Sequence, residues 1–454
     1  MALGARTGTR HRGKLVSKSD PVSDIGGAEE LGGRPSIVSA RMPWIHDGRP
    51  WEDIRADLIA LKSEDYDWRG GRIPIYVYYD DDELLSVSRE AYNLYFSENA
   101  LGRNAFPSLV RMEEDLVKWS LALFNAPAGA DGSFTSGGTE SIFLALKTAR
   151  TQFRATVSKS IRPAVVLPRT AHPAFDKAAY CLEIDVVRVD VGTDLRVDVD
   201  RLEAAIDDRT LMVVGSAPCY PYGVYDSIST LGKIARARGV WFHVDACLGG
   251  FLAPFARDEG FSVPEFDFSI PGVTSLSADL HKHGFCARGS SVVLYRSASI
   301  KVHQAFRFDD WPRGTYSTET FLGSRPGGSV ASAWAVSQYL GRAGYRRLAR
   351  KTMEAKLRLV RGVESITGLQ VLYPSDLSIV LYRSVDSCVD INAVGDCLTE
   401  QGWFVGRSRE PMALHFAVNA VHAPVVERYL SDLERSVKQV RASGKTGRRN
   451  DLTY

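Results

Sequence analysis

The run Thr274-Ser-Leu-Ser-Ala-Asp-Leu-His281-Lys282-His283-Gly284-Phe-Cys-Ala-Arg288-Gly289-Ser290-Ser291, followed by the apolar Val292-Val293-Leu294-Tyr295, sets a lysine between two histidines. Small and turn-forming residues flank it, and strand-like runs lie on either side. Alone, His-Lys-His reads as a basic surface loop that caps a strand. Its neighbours along the chain change that reading.

Short β-rich runs alternate with helical patterns at Ala164 to Leu167, Val186 to Val189, Leu211 to Val214, Trp241 to Val244, Val273 to Ser277 and Val292 to Tyr295. Such alternation predicts an α/β domain around a mainly parallel sheet flanked by helices. In such sheets ligands bind beyond the carboxyl ends of the strands. Three further motifs sit at predicted strand ends or at a helix start.

Ser136-Gly137-Gly138-Thr139 lies where a loop becomes a helix. Glycines there let backbone N–H groups approach a phosphate, and the helix dipole favours its charge. Read alone, it is equally a glycine-rich helix cap, and it is neither of the usual dinucleotide or ATP loops. His172, in His172-Pro-Ala-Phe-Asp-Lys177, follows a strand and could stack on a flat ring, or could be a satisfied structural histidine. Asp245, in His243-Val-Asp-Ala-Cys247, ends another strand, where its carboxylate could face a heterocyclic nitrogen or cap the next turn. Together with the amine of Lys282, these groups form the set needed to hold pyridoxal phosphate as a Schiff base.

Composition narrows the class. With 454 residues, 44% apolar and 24% charged, and a net charge of +2, the chain is an ordinary globular protein without the basic excess of a general nucleic-acid binder. The six cysteines are scattered without zinc-like spacing. No run of about 18 apolar residues occurs, so no transmembrane segment is expected, and a reduced, cytoplasmic protein fits. Arg6, Arg10, Arg12, Lys14 and Lys18 precede the first acid, Asp20. That bias is shared with organelle transit peptides, but the stretch is read as a disordered tail.

Ser136-Gly-Gly-Thr-Glu-Ser141, His172-Pro-Ala-Phe-Asp-Lys177, Gly215-Ser-Ala-Pro218, His243-Val-Asp-Ala-Cys-Leu-Gly-Gly-Phe251, Ser277-Ala-Asp-Leu-His-Lys282 and Gly323-Ser-Arg-Pro-Gly-Gly328 closely resemble the sphingosine-1-phosphate lyases. These belong to the group II decarboxylase-like branch of fold-type I pyridoxal-phosphate enzymes. The resemblance spans about residues 50 to 440.

It implies Lys282 for the Schiff base, Asp245 for the pyridinium nitrogen, His172 for ring stacking, and Gly137, Gly138 and Thr139 for the phosphate, with Ser136 beside them. It implies a homodimer in which Ser324 reaches the phosphate from the other subunit. His281 would carry protons beside the linkage, and Tyr316 would sit on a loop closing over the substrate. Arg288 stands where these lyases usually carry a lysine, and keeps the charge with a bidentate donor set. Asn99, Tyr220 and Tyr222 are taken as substrate-pocket residues. Where the lyases usually have Asn-Pro-Leu-His, this chain has Asn99-Ala100-Leu101-Gly102, without the histidine; Arg103 beside the gap could supply the missing charge.

The expected activity is retro-aldol carbon–carbon cleavage of a phosphorylated or anionic amino alcohol or β-hydroxy amino acid. Amino-acid decarboxylation is the alternative, ahead of transamination or a catalytically silent scaffold. The expected organisation is a flexible tail over 1–40, a segment over 41–110 contributing to dimer and pocket, a large cofactor-binding domain over 111–335, a small α+β domain over 336–442 and a polar tail over 443–454.

Overall fold

The computed structural model describes residues 47–157, 159–373 and 375–447. The expected tail over 1–40 lies outside them, as do residues 448–454 of the expected polar tail. Residues up to Glu64 form one unit and those from Asp65 onward another. In the first, Trp51–Lys62 is a helix without a buried residue.

In the second unit a seven-stranded sheet comprises β1 (Asp131–Thr135), β2 (Ala164–Pro168), β3 (Asp185–Val189), β4 (Thr210–Ser216), β5 (Trp241–Asp245), β6 (Ser275–Ala278) and β7 (Ser291–Tyr295), in the order β1-β7-β6-β5-β4-β2-β3. The pairs from β6 through β5, β4 and β2 to β3 are parallel. β7 runs antiparallel to both β6 and β1. Two reversals restore direction, so β1 ends on the same edge as β2, β4, β5 and β6.

Strands β2, β4 and β5 are buried throughout, because helices cover both faces. Alternate residues feed opposite cores. Val166, Val213 and Val244 pack on one side, while Val165, Leu167, Met212 and Val214 pack with the helices Gly138–Thr156 and Ala174–Leu182 on the other. The six strand-like runs expected between Ala164 and Tyr295 are all strands of this sheet. β1 is not foreshadowed by any apolar run, because Asp-Gly-Ser-Phe-Thr is short and polar and is held in the sheet by register with β7.

Beyond β7 come a short hairpin, β8 (Phe306–Phe308) with β9 (Tyr316–Thr318), and a four-stranded antiparallel sheet, β10 (Leu369–Val371), β11 (Ile379–Ser384), β12 (Gly406–Arg409) and β13 (Met412–Ala417), ordered β10-β11-β13-β12. The helix Gly327–Ser365 runs past the expected 335/336 boundary and kinks at Gly341, whose φ of 52° suits glycine. Its second half supplies Leu359 and Val363 to the core beneath the small sheet, with Trp403 and Leu433.

Two local expectations change. The tyrosine-rich run Ile73 to Tyr79, whose β-branched and aromatic residues predict a strand, is an irregular strap. Ala417 N–H donates to Pro74 O at 3.0 Å and Asn419 Nδ2 to Val77 O at 3.0 Å, so single partners replace a ladder. Trp403 to Val405, an aromatic and β-branched run that also predicts a strand, is not one either. The Trp403 ring is buried under the Arg72 guanidinium and donates its indole N–H to Asp432.

Candidate active site

Because β6 ends at Ala278, Asp279 and Lys282 emerge at the carboxyl edge of the sheet, beside Asp245 at the end of the parallel neighbour β5. A tight turn follows, with Lys282 N–H on Asp279 O and Phe285 N–H on Lys282 O. Lys282 Nζ lies 2.9 Å from Asp279 Oδ2. Burial opposes its charge, but the Asp279 carboxylate outweighs it and raises the lysine above the usual amine range.

Asp279 is itself buried and accepts the Ser291 hydroxyl at 2.6 Å. Against burial, the Lys282 charge, helped by the Ser291 hydroxyl, holds this carboxyl below its ordinary value. His281 Nε2 lies 3.6 Å from Asp279 Oδ2, while its Nδ1 accepts the Ser290 N–H at 3.3 Å. That acceptance assigns the proton of neutral His281 to Nε2. Burial lowers this histidine, favouring the neutral ring.

His172, after β2, accepts the Ala174 N–H on Nδ1 at 3.1 Å, and burial lowers it as well. The charges acting on it include Asp245, Lys282 and Asp279, so the motifs of β2, β5 and β6 share one edge. The Asp245 carboxylate accepts the Cys247 N–H at 3.1 Å.

The glycine turn completes this edge. Gly137 has φ 157°, and a Cβ on Gly138 would meet Cys247 Sγ at 2.8 Å and both Asp279 oxygens at 3.0 Å. Only a bare backbone fits there, at the start of the helix Gly138–Thr156, whose first N–H groups are unsatisfied within the helix. The edge thus brings together an imidazole, two carboxylates and an amine beside a helix start that suits an anion.

These residues match a known family. The model of the pyridoxal-dependent decarboxylase conserved domain matches residues 78–384. The sphingosine-1-phosphate lyase of Arabidopsis thaliana is 41% identical over 365 residues, covering 79% of this chain and 66% of the relative. That of Oryza sativa subsp. japonica is 38% identical over 394 residues, covering 85% and 72%. The chain belongs to the pyridoxal-dependent decarboxylase family, as a sphingosine-1-phosphate lyase-like member.

The solved structure of a Burkholderia pseudomallei sphingosine-1-phosphate lyase is 37% identical, with a TM-score of 0.84, covering 90% of this chain and 95% of that one. The cofactor of this decarboxylase-family chain is pyridoxal phosphate.

The remaining expected residues are placed by other contacts. Arg288 donates to His281 O at 3.0 Å, and its guanidinium lies 5.8 Å from the centre of the Tyr78 ring. Asn99 donates to Ser324 Oγ at 3.0 Å, and its Oδ1 accepts the Arg325 N–H, joining two loops of one chain. Arg103 is exposed at the rim of a cavity of about 710 Å³ that also reaches Thr318 and Gly323. Tyr316 is on β9, its ring edge-on to Trp311. Tyr220 packs beside Leu248 and Ile379, its ring 4.8 Å from that of His415. Tyr222 donates to Glu410 O at 2.6 Å, in a separate cavity with Arg169.

Sequence reasoning missed Asp279, Glu140 and the individual part of Tyr78. Asp279 was legible as an acid three residues before the lysine on a turn. Tyr78 was hidden in the presumed strand; its ring stands edge-on to buried His283 at 4.8 Å, and its hydroxyl is among the groups acting on Lys282.

Proposed function

We propose that this chain is a pyridoxal-phosphate-dependent carbon–carbon lyase that cleaves a phosphorylated 2-amino alcohol to an aldehyde and a smaller phosphorylated amine. The observation that carries it is the convergence of Lys282, His172, Asp245 and the Gly137-Gly138 turn on one sheet edge. The sphingosine-1-phosphate lyase relatives supply the substrate class.

In this reading Lys282 anchors the cofactor, the N-terminal turn with Ser136, Gly137, Gly138 and Thr139 holds its phosphate, Asp245 faces the ring nitrogen and His172 the ring. When bound, the cofactor supplies an electron sink that weakens a bond at the substrate's amine-bearing carbon. His281, with its proton on Nε2, is placed to give or take a proton there. Arg288, whose guanidinium is oriented by the His281 carbonyl, is the cation for the substrate phosphate. Asn99 orders the loop that carries Arg103, which stands beside Gly102 as a second cation.

Two finer readings accompany it. We infer a homodimer in which the Ser324 loop contributes to the neighbouring site. A cytoplasmic location is supported by six unpaired cysteines. Among the described residues no helix is long and apolar enough to cross a membrane.

The test is product analysis with phosphorylated sphingoid bases and with acidic and aromatic amino acids. An aldehyde formed in equal amount to phosphoethanolamine supports the lyase. Carbon dioxide without an aldehyde overturns it in favour of decarboxylation.

A further inference from the structure

The proposed reaction leaves one charged group of the site without a task. Asp279 is 2% exposed, yet it touches both Lys282 and His281. Its surroundings are built to hold a carboxylate still. Ser291 Oγ lies 2.6 Å from Asp279 Oδ1, Ser141 Oγ 2.9 Å from Ser291 Oγ, and Thr135 Oγ1 2.6 Å from Ser141 Oγ. All three hydroxyl residues are buried. Because Ser291 has one proton and its shortest acceptor is the carboxylate, a consistent network has Thr135 donating to Ser141, Ser141 to Ser291 and Ser291 to Asp279. Three O–H dipoles therefore point toward one anion, which also lies against the first turn of the helix Gly138–Thr156.

We propose that Asp279 is a positioning residue that docks the ammonium of Lys282 whenever that lysine is not bonded to the cofactor. The proposal rests on the reading of Lys282 as the anchor. An amine substrate arrives as an ammonium and must lose a proton to bond to the cofactor carbon. With the cofactor bound, passing its C–N bond from Lys282 to the substrate amine would carry the three N–H hydrogens of the arriving ammonium to Nζ, so that the lysine would leave as an ammonium that Asp279 neutralises. No outside acid or base is needed, and the departed lysine stays within reach for its return.

The groups acting on Nζ are Asp279 on its own turn, Cys247 from the segment after β5, and Tyr78 from the strap. His281 lies beside Asp279, and Lys282 and Asp245 both act on His172. Among them Asp279 is the carboxylate in contact with Nζ.

The test uses the full-length chain stripped of cofactor, labelled with trinitrobenzenesulfonate from pH 7 to 11, with each lysine resolved by peptide mass. In the wild type the labelling midpoint of Lys282 should lie above that of Lys118, which is 71% exposed. In Asp279→Asn it should fall by about one unit or more, a roughly tenfold rise in reactive amine at a given pH. Asp279→Glu, which keeps the charge, should stay near the wild type. A wild-type Lys282 midpoint at or below that of Lys118 overturns the proposal without any variant. So does an unmoved midpoint in Asp279→Asn, even if labelling is uniformly slower.

Borohydride reduction of the cofactor-loaded protein separates the two readings. Cofactor fixed to Lys282 with an unmoved Asp279→Asn midpoint overturns only the role of Asp279. Cofactor fixed to another lysine overturns the anchor reading and this proposal with it.

Discussion

The Glu140 carboxylate accepts the Phe321 N–H at 2.8 Å on one oxygen and the Ser136 N–H at 2.6 Å on the other. A single buried side chain thus ties the glycine turn to the loop that leads to Ser324. Hydrogen bonds to a charged group are worth about 1.5–3 kcal/mol each, and less where, as here, the donors are only part-buried. Glu140→Ala should therefore lower unfolding stability by about 2–4 kcal/mol and speed proteolysis within residues 306–322. Urea titration and limited proteolysis check both; an unchanged cleavage rate would show that Glu140 does not hold this loop.

Asp245 ends β5 with its carboxylate accepting the Cys247 N–H. If it faces the ring nitrogen, Asp245→Asn removes the charge while keeping shape and lowers kcat by about 100-fold or more, at the scale of a lost electrostatic partner. Steady-state kinetics with cofactor in excess measures this. A loss that excess cofactor restores would assign Asp245 to binding alone.

Arg288 is exposed, so its role in phosphate recognition is separable from folding. Arg288→Ala should raise KM for a phosphorylated amino alcohol about 10- to 100-fold, the worth of a charge-assisted pair, and should change little for its unphosphorylated analogue. Arg288→Lys should recover part of the loss, since the charge remains without the fork. Equal effects on both substrates would remove Arg288 from phosphate binding.

Buried His243, His283 and His422 are pushed down to about 4, 3 and 4 by burial. Their unfolded values lie near 6.5. Above that pH neither state binds these protons and the stability is fully present; as pH falls toward 4 only the unfolded chain takes them up, and stability is lost. Asp226, raised to about 6 by burial, acts in the opposite sense below that pH. Three groups against one leave a net loss of up to about 2.7 kcal/mol per pH unit for two protons. Urea unfolding at pH 7.5, 6 and 5 should give steadily falling midpoints, and constant midpoints would contradict the assignment.

Hydrophobic period made the α/β layers readable, because a buried parallel strand must be apolar whatever its neighbours. The clustering of His172, Asp245 and Lys282 on one edge was readable for the same reason: each follows an apolar strand, and parallel strands end together, whereas Ser136 to Thr139 was readable only as a helix start. β1 was not, since its polar residues belong to the sheet only through β7.

What only the tertiary structure decided are partnerships across the chain. Glu140 meets Phe321, Asn99 meets Ser324, and the strap with Tyr78 reaches His283 by bonds to Ala417 and Asn419. Tyr222, taken from the sequence as a substrate-pocket residue, donates to the Glu410 carbonyl. Periodicity and turn chemistry are properties of neighbours in sequence. The partner of a buried polar group is whichever group the packed elements bring to it, and no local pattern records that.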